Sequence, residues 1–422
     1  MRHRHTTSTA TALTMALSGL LTSGPVLAYW ELVPRVEGGI TTETNPYNRL
    51  ETQSYDSATG AFADLRLDGM FKTPRDVVTL TPRIRSFKYS GSKDALDDDD
   101  YSIDLNTSHQ WDIASANLRL SYRDNGIRTN EFNTAIPGQT TDDSQETWSF
   151  GPSLNYVLSP RHSLQFTADL TDIKYDASPQ SGYYDYTNSS IQTTWIYGYS
   201  AKTSLLLSVN GGKFEAKDPY STAENITDSY GATVAMERKL TPTVTGTVTL
   251  GSSHSTQDVS REAFFDPFFG FLCPAGFTLD TQGQCSISES SNNFIGGITL
   301  RQASELMTTT IDYSQSQAPR SNGTSVVSDT FRLKFDRDLN RRFNGSIDLL
   351  YASDSALGDY GRQDRKYYSA RTTLRYRLTE YLSLYGTYVY TVNKDDANDG
   401  GVKQENNRLF FSLVYKGVGI RR

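Results

Sequence analysis

The chain is short of hydrophobic residues. They make up 36% of its 422 positions, against about 45–50% in soluble globular domains, which argues against one large soluble core. Cysteine is scarcer still: Cys273 and Cys285 are the only two, so a Cys-rich zinc site and a disulfide-dense scaffold are both excluded. Positive charge is also wanting. The formal net charge is −7 with no basic block, and a nucleic-acid partner would need a basic footprint. Proline is held to 14 and histidine to 5. What is abundant points elsewhere. Aromatics reach 12%, with Tyr at 26 copies and Phe at 19, beside 31 Gly; disordered chains are poor in aromatics. A Tyr-rich, Gly-rich, polar all-β protein is what remains.

Residues 1–28 read as a cleaved secretory signal, with residues 29–422 as the mature domain. Arg2 and Arg4 form a positive n-region, Ala12 to Leu21 an apolar stretch, and Val26-Leu-Ala28 supplies small residues at the cleavage positions. The apolar stretch falls well short of the ~20 residues a membrane-crossing helix requires. No Cys follows Ala28, which argues against a lipoprotein.

Beyond residue 28 the dominant period is two. Leu65, Leu67 and Phe71 alternate with Asp64, Arg66, Asp68 and Lys72; Val78, Leu80, Pro82 and Ile84 alternate with Thr79, Thr81, Arg83 and Arg85. Trp148, Phe150, Pro152, Leu154 and Tyr156 alternate with Ser149, Gly151, Ser153 and Asn155. Each such stretch is a strand with one apolar and one polar face. Tight connections sit at Thr73–Arg75, Asp112–Ser115, Ser159–Arg161, Tyr199–Lys202, Leu240–Thr243, Gln302–Ser304, Asp338–Arg341 and Leu378–Glu380. Polar loops lie between them, near 45–58, 89–100, 124–144, 176–183, 217–226, 252–291, 315–324, 354–364 and 393–405. Eight short and nine long connections imply eighteen strands, the first near Glu31–Glu37.

Short turns at one end, long loops at the other and alternation throughout mark an antiparallel transmembrane outer-membrane β-barrel of about 18 strands, with short periplasmic turns and long extracellular loops. Tyr101, Trp111, Trp148, Tyr156, Tyr368, Tyr376, Tyr388 and Tyr415 fall near strand ends on the apolar face, as interfacial aromatics do. The mean hydropathy of −0.52 fits, since only one face of each strand meets lipid. A soluble β-sandwich would also alternate, yet it gives no reason for loops that alternate in length. A first strand directly after the signal leaves no room for a plug domain ahead of the barrel.

The opening Trp30-Glu-Leu-Val-Pro-Arg-Val-Glu-Gly-Gly-Ile-Thr-Thr-Glu-Thr-Asn-Pro-Tyr47, with Thr44-Asn-Pro46 inside it and eighteen hairpin-type strands after it, resembles the β-barrel porin 2 group of Gram-negative outer-membrane proteins. Some members are associated with exopolysaccharide synthesis loci. The resemblance implies a cofactor-free channel in the outer membrane, passing or exporting exopolysaccharide or other polar solutes. Its implied partners are outer-membrane lipid, lipopolysaccharide and polysaccharide-export components. Two other roles fit the same barrel: a general diffusion porin, and a structural or adhesive surface protein. The C-terminus departs from the common pattern, since Tyr415 is followed by Lys416-Gly-Val-Gly-Ile-Arg-Arg422 rather than ending the chain.

If the apolar faces meet lipid, the polar faces line the pore. Arg35, Arg66, Arg83, Arg85, Arg119, Arg332, Lys334, Arg371, Arg375 and Arg377 then point inward with Asp64, Asp68, Asp104, Asp169, Asp336 and Asp348. They act either as mutually paired wall residues or as a field that selects ions. In loop 252–291, Cys273 and Cys285 are expected to form a disulfide in an oxidising compartment. Phe264, Phe265, Phe268, Phe269 and Phe271 form a loop core over the mouth, a constriction or a partner contact. Asp94 and Asp97–Asp100 read as a solvated acidic loop, lacking the spacing of a calcium loop. No metal site is expected. Catalysis is not supported: only His109, His162 and His254 survive removal of the signal, with no Gly-x-Ser-x-Gly run. His109 is placed at the interface, His162 in a tight turn and His254 at the start of a long loop.

Overall fold

The computed structural model describes residues 28–45, 57–90, 97–126, 144–176, 183–219, 221, 223–266, 270–274, 276–279, 284–320, 323–356, 364–395 and 402–421. The expected signal, Pro46, Asp94, Phe268 and Phe269 lie outside them. Eighteen long strands follow one another: β1 (Tyr29–Glu43), β2 (Ala58–Lys72), β3 (Asp76–Tyr89), β4 (Asp98–Gln110), β5 (Ala114–Gly126), β6 (Ser144–Ser159), β7 (His162–Asp176), β8 (Asp185–Ser200) and β9 (Thr203–Lys217) form the first half. The second comprises β10 (Glu224–Lys239), β11 (Val244–Glu262), β12 (Gln284–Ala303), β13 (Met307–Pro319), β14 (Ser325–Asp338), β15 (Phe343–Ala356), β16 (Arg365–Arg377), β17 (Leu382–Asp395) and β18 (Val402–Lys416).

Each strand pairs antiparallel with the next, and β1 pairs with β18 from Arg35↔Lys416 to Glu43↔Arg408. The sheet is therefore closed, and closure removes the free edges that an open sheet would present to lipid. Alternation decides which way each side chain faces. Val36, Ile40, Leu65, Ile84, Ile191, Val209, Val234, Leu250, Ile298 and Phe411 are among the exposed apolar residues of the outer face. Tyr101, Trp111, Trp148, Tyr156, Tyr368, Tyr376, Tyr388 and Tyr415 are exposed as well. Prolines inside strands are accommodated without slippage. The β2–β3 ladder skips Leu67–Asp68 opposite Thr81–Pro82, then resumes in the same register at Gly69↔Leu80. Pro82 has no N–H to donate there.

The strands outrun their sequence signal at the long-loop end. A tilted transmembrane strand needs about 9–11 residues, whereas β11 has 19 and β12 has 20. Residues 252–262 and 284–291, expected as loop, are therefore strand, and β1 extends to Glu43. Above the lipid neither face has to be apolar, so alternation fades while pairing continues. Outward ion pairs such as Lys217–Glu224, at 3.0 Å, mark this wet margin. The acidic run corrects in the same way: Asp98–Asp100 open β4 rather than a loop, and Asp97 Oδ1 accepts the Tyr89 N–H at 2.8 Å.

One hairpin leaves the wall. β13 pairs with β12 only over Gly296–Ala303, while β12 stays on β11 along its whole length. The upper ends of β13 and β14 pair with each other as far as Pro319↔Ser325. Their tip reaches β10, where the inward-facing Asn225 donates through Nδ2 to the Gly323 carbonyl at 2.8 Å. To get there the tip must pass inside β11 and β12. Ser325, Val326 and Val327 are consequently buried on both faces. Gly323 takes φ 78° at the turn, a left-handed conformation that favours glycine.

Candidate functional site: the lumen wall

Every charged residue expected in the lumen lies on the inward-facing parity of its strand. The wall is asymmetric. On β1–β7 and β14–β18 inward charges meet across the ladder: Arg83 Nε donates to Asp64 at 2.9 Å, Arg332 Nε to Asp348 at 2.9 Å, and Arg123 to Asp104 at 3.4 Å. Arg35 lies 3.7 Å from Asp68, which also pairs with Arg66. Arg119 reaches past β6 to Asp169 on β7 at 3.1 Å. Gly151 makes that reach possible, because a Cβ there would stand 3.0 Å from Asp169 Oδ1 and 3.3 Å from Arg119 Nη2. A cavity of about 450 Å³ adjoins this pair.

β16 is different. Arg371, Arg375 and Arg377 share its inward parity, and none makes an ion pair among the described residues. Arg371 stands in register with Asp348, whose carboxylate is already engaged by Arg332. Arg375 lies 5.6 Å from the centre of the Tyr385 ring, within cation–π range. Lys334, in register with Asp348 from the other side, adds a further cation. Together they form a positive patch that neighbouring carboxylates do not neutralise.

At the long-loop end the inner wall is tight. Glu43 and Arg408, 1% and 11% exposed, pair at 2.8 Å across the seam that joins β1 to β18. The Tyr89 hydroxyl donates to the same carboxylate at 2.9 Å. Ala58, Phe62, Phe87 and Tyr89 form a buried cluster beneath, with Phe410 against it. Arg85 covers Phe87 at 4.3 Å.

The opposite wall is neutral. Along β8–β11 the inward positions carry Ser, Thr, Asn, Gln and Gly with scattered apolar residues, and charge only towards the strand ends, at Glu237, Lys239 and Arg261. Charge-centred reading passes over this wall, although the same parity exposes it: Asn188, Ser190, Gln192 and Thr194 on β8, and Thr245, Thr247 and Thr249 on β11.

Cys273 and Cys285 are bonded, tying the β11–β12 connection to the start of β12. Within that connection Phe264–Asp266 pairs with Gly270–Leu272 as a short hairpin, placing Phe265 opposite Phe271. The histidines lie apart and serve outer-face contacts. His109 Nδ1 is 2.5 Å from Asp76, with its ring on Trp111. His162 starts β7 and stacks on Trp195 and Tyr197. His254 is in β11, not at a loop start, and meets Asn292 at 2.7 Å. Among the described residues no three His, Cys, Asp or Glu converge on a metal-binding position.

A mostly polar inward face and an apolar outer belt on a closed sheet define an outer-membrane β-barrel. No family model matches the chain, and no curated protein matches it. Solved structures resemble it distantly. The ferric-catecholate import receptor Fiu from E. coli K12 aligns at TM-score 0.46 and 11% identity, over 90% of this chain and 81% of that one. The siderophore receptor PiuA from Acinetobacter baumannii aligns at 0.47 and 9%, over 91% and 82%. OccAB4 from Acinetobacter baumannii aligns at 0.40 and 10%, over 92% and 98%. The barrel is established by this chain's own strand register.

Proposed function

We propose that the protein is a passive outer-membrane channel for polar solutes, with passage or export of exopolysaccharide as its biological role. The observation that carries the channel is the wetness of the lumen wall: Arg119 and Asp169, both inward, are 64% and 52% exposed. Charged residues filling a packed interior would be desolvated. Eighteen strands at ~4.8 Å spacing and ~40° tilt give a backbone radius of about 18 Å, in the range of water-filled porins. The neutral wall of β8–β11 suits a polyhydroxylated solute, which exchanges hydrogen bonds with Ser, Thr and Asn side chains at little net cost. The exopolysaccharide assignment rests on the resemblance of the N-terminal segment and on this wall.

Contact with lipopolysaccharide is proposed on a second feature. Lys366, Lys394 and Lys403 are directly opposite one another on the outer face at the long-loop margin. Like charges in register repel. Phosphate groups at the membrane surface would offset that repulsion, alongside Glu405, which pairs with Lys403.

Planar-bilayer recording of the purified barrel tests the channel. Stepwise conductance is expected on insertion; stable insertion without current would overturn the reading and favour a structural anchor.

A further inference from the structure

The inward turn of the β13–β14 hairpin encloses a cavity of about 290 Å³ between the hairpin and the wall of β8–β12. It has an unusual inventory of unused hydrogen-bonding atoms. Thr227 on β10, Ser253 on β11 and Gln317 on the hairpin all line it, and each carries a buried oxygen, Oγ1, Oγ and Oε1 respectively, that has no hydrogen-bond partner among the described residues. Thr227 and Ser253 are 2% and 5% exposed. Buried polar atoms are satisfied in the great majority of cases, so three unpaired oxygens on residues that line one cavity from three strands point to a polar ligand, reached by small side-chain shifts.

The chemistry of the lining narrows that occupant. Hydroxyls both donate and accept, while the Gln317 carbonyl oxygen accepts only, so a ligand rich in hydroxyl groups can serve all three. Phe214 also lines it, its ring packed against Tyr186, so the aromatic part of the lining is held in place. Among the described residues Lys213 is the one charged residue on the lining; it belongs to the outward parity of β9 and its ammonium is paired with Glu215. An ionised ligand would be desolvated without a counter-charge, which is costly. The volume is at the low end of small-molecule sites, about 300 Å³, enough for one sugar ring and too little for a folded chain.

We infer that the cavity under the β13–β14 hairpin is a binding subsite for a single neutral sugar residue of the transported solute, held by Thr227, Ser253 and Gln317. The inference rests on the channel reading and deepens it.

The test separates the two. The purified, detergent-solubilised barrel is titrated with glucose, galactose, mannose and rhamnose, with glucuronate as the charged control, by saturation-transfer NMR and calorimetry. At least one neutral sugar is expected to bind, and glucuronate is not. Loss of one hydrogen bond in Thr227→Val, Ser253→Ala or Gln317→Leu should weaken binding by about three- to tenfold. Heat-modified gel mobility checks that each variant is closed, and Gln317→Leu, on the hairpin rather than the wall, reads the site even where a wall variant misfolds. No signal from any neutral sugar, or affinity indifferent to all three changes, overturns the subsite and leaves the cavity to water. Bilayer current is scored separately: sugar binding without conductance would keep the subsite and refute the channel.

Discussion

Changing Arg371, Arg375 and Arg377 together to Gln removes three positive charges from one inward strand face. Their effect on permeating ions can be sized from the barrel. With side chains subtracted, the eighteen-strand wall leaves a lumen of about 12 Å radius, which over a ~30 Å membrane core encloses roughly 13,000 Å³. Three charges in that volume correspond to about 0.4 M of fixed charge, several times a 0.1 M bath. No carboxylate among the described residues pairs with these arginines, so their field is available to mobile ions. An ideally selective pore under a tenfold salt gradient would reverse near 59 mV; losing three wall cations should shift the reversal potential by on the order of 10–30 mV toward cation preference. Raising both baths above 1 M shortens the Debye length to ~3 Å and should erase most of the difference. The assay is a planar bilayer with KCl gradients at low and high salt. A shift toward anions, or a conducting pore whose reversal potential ignores the triple change at low salt, would refute the reasoning while leaving the channel standing.

Three further outcomes are expected. Arg408→Met takes the guanidinium away from the Glu43 carboxylate, 1% exposed, at the closing seam; breaking such a pair costs about 3–5 kcal/mol, seen as a lower midpoint in denaturant titration, and Glu43→Gln added to it should recover part of that loss. A full cost with no recovery would show that packing, not the stranded charge, dominates. In protein taken from the outer membrane, Cys273 and Cys285 should resist alkylation until reduced, by intact mass; reduction should speed proteolysis within 263–283, since releasing a loop of this size frees about 3 kcal/mol of chain entropy, while the barrel stays closed on a gel. Two free thiols at the outset would count against the bond. Unboiled protein should migrate faster than boiled, and equal mobility would contradict the closed sheet.

How far the structure is legible in the sequence depends on where lipid imposes its rule. Inside the membrane every second residue must be apolar, so Leu65, Leu67, Ile84, Phe150 and Leu154 announce both the strands and their inward neighbours, and strand number and the facing of Arg83 or Asp169 follow from parity alone. Outside it the rule lapses. The upper halves of β11 and β12 are rich in Ser, Asn, Gln and Asp, indistinguishable by composition from loop, and only the ladder from Ser253↔Asn293 to Glu262↔Gln284 identifies them as strand. Ion pairing is less legible still, because parity places Arg371 and Arg332 on one face without saying that Arg332 alone secures Asp348. The hairpin is the hardest case. Gln317 stands at an outward position by alternation, yet it lines an interior cavity because β13 has already left β12 below it. Two local signs were present: Val326-Val327 breaks the alternation, and a glycine follows Ser321-Asn322 at the tip. Neither says where the tip goes. That is decided by Asn225, ninety-eight residues earlier, and a contact of that range leaves no trace in local periodicity.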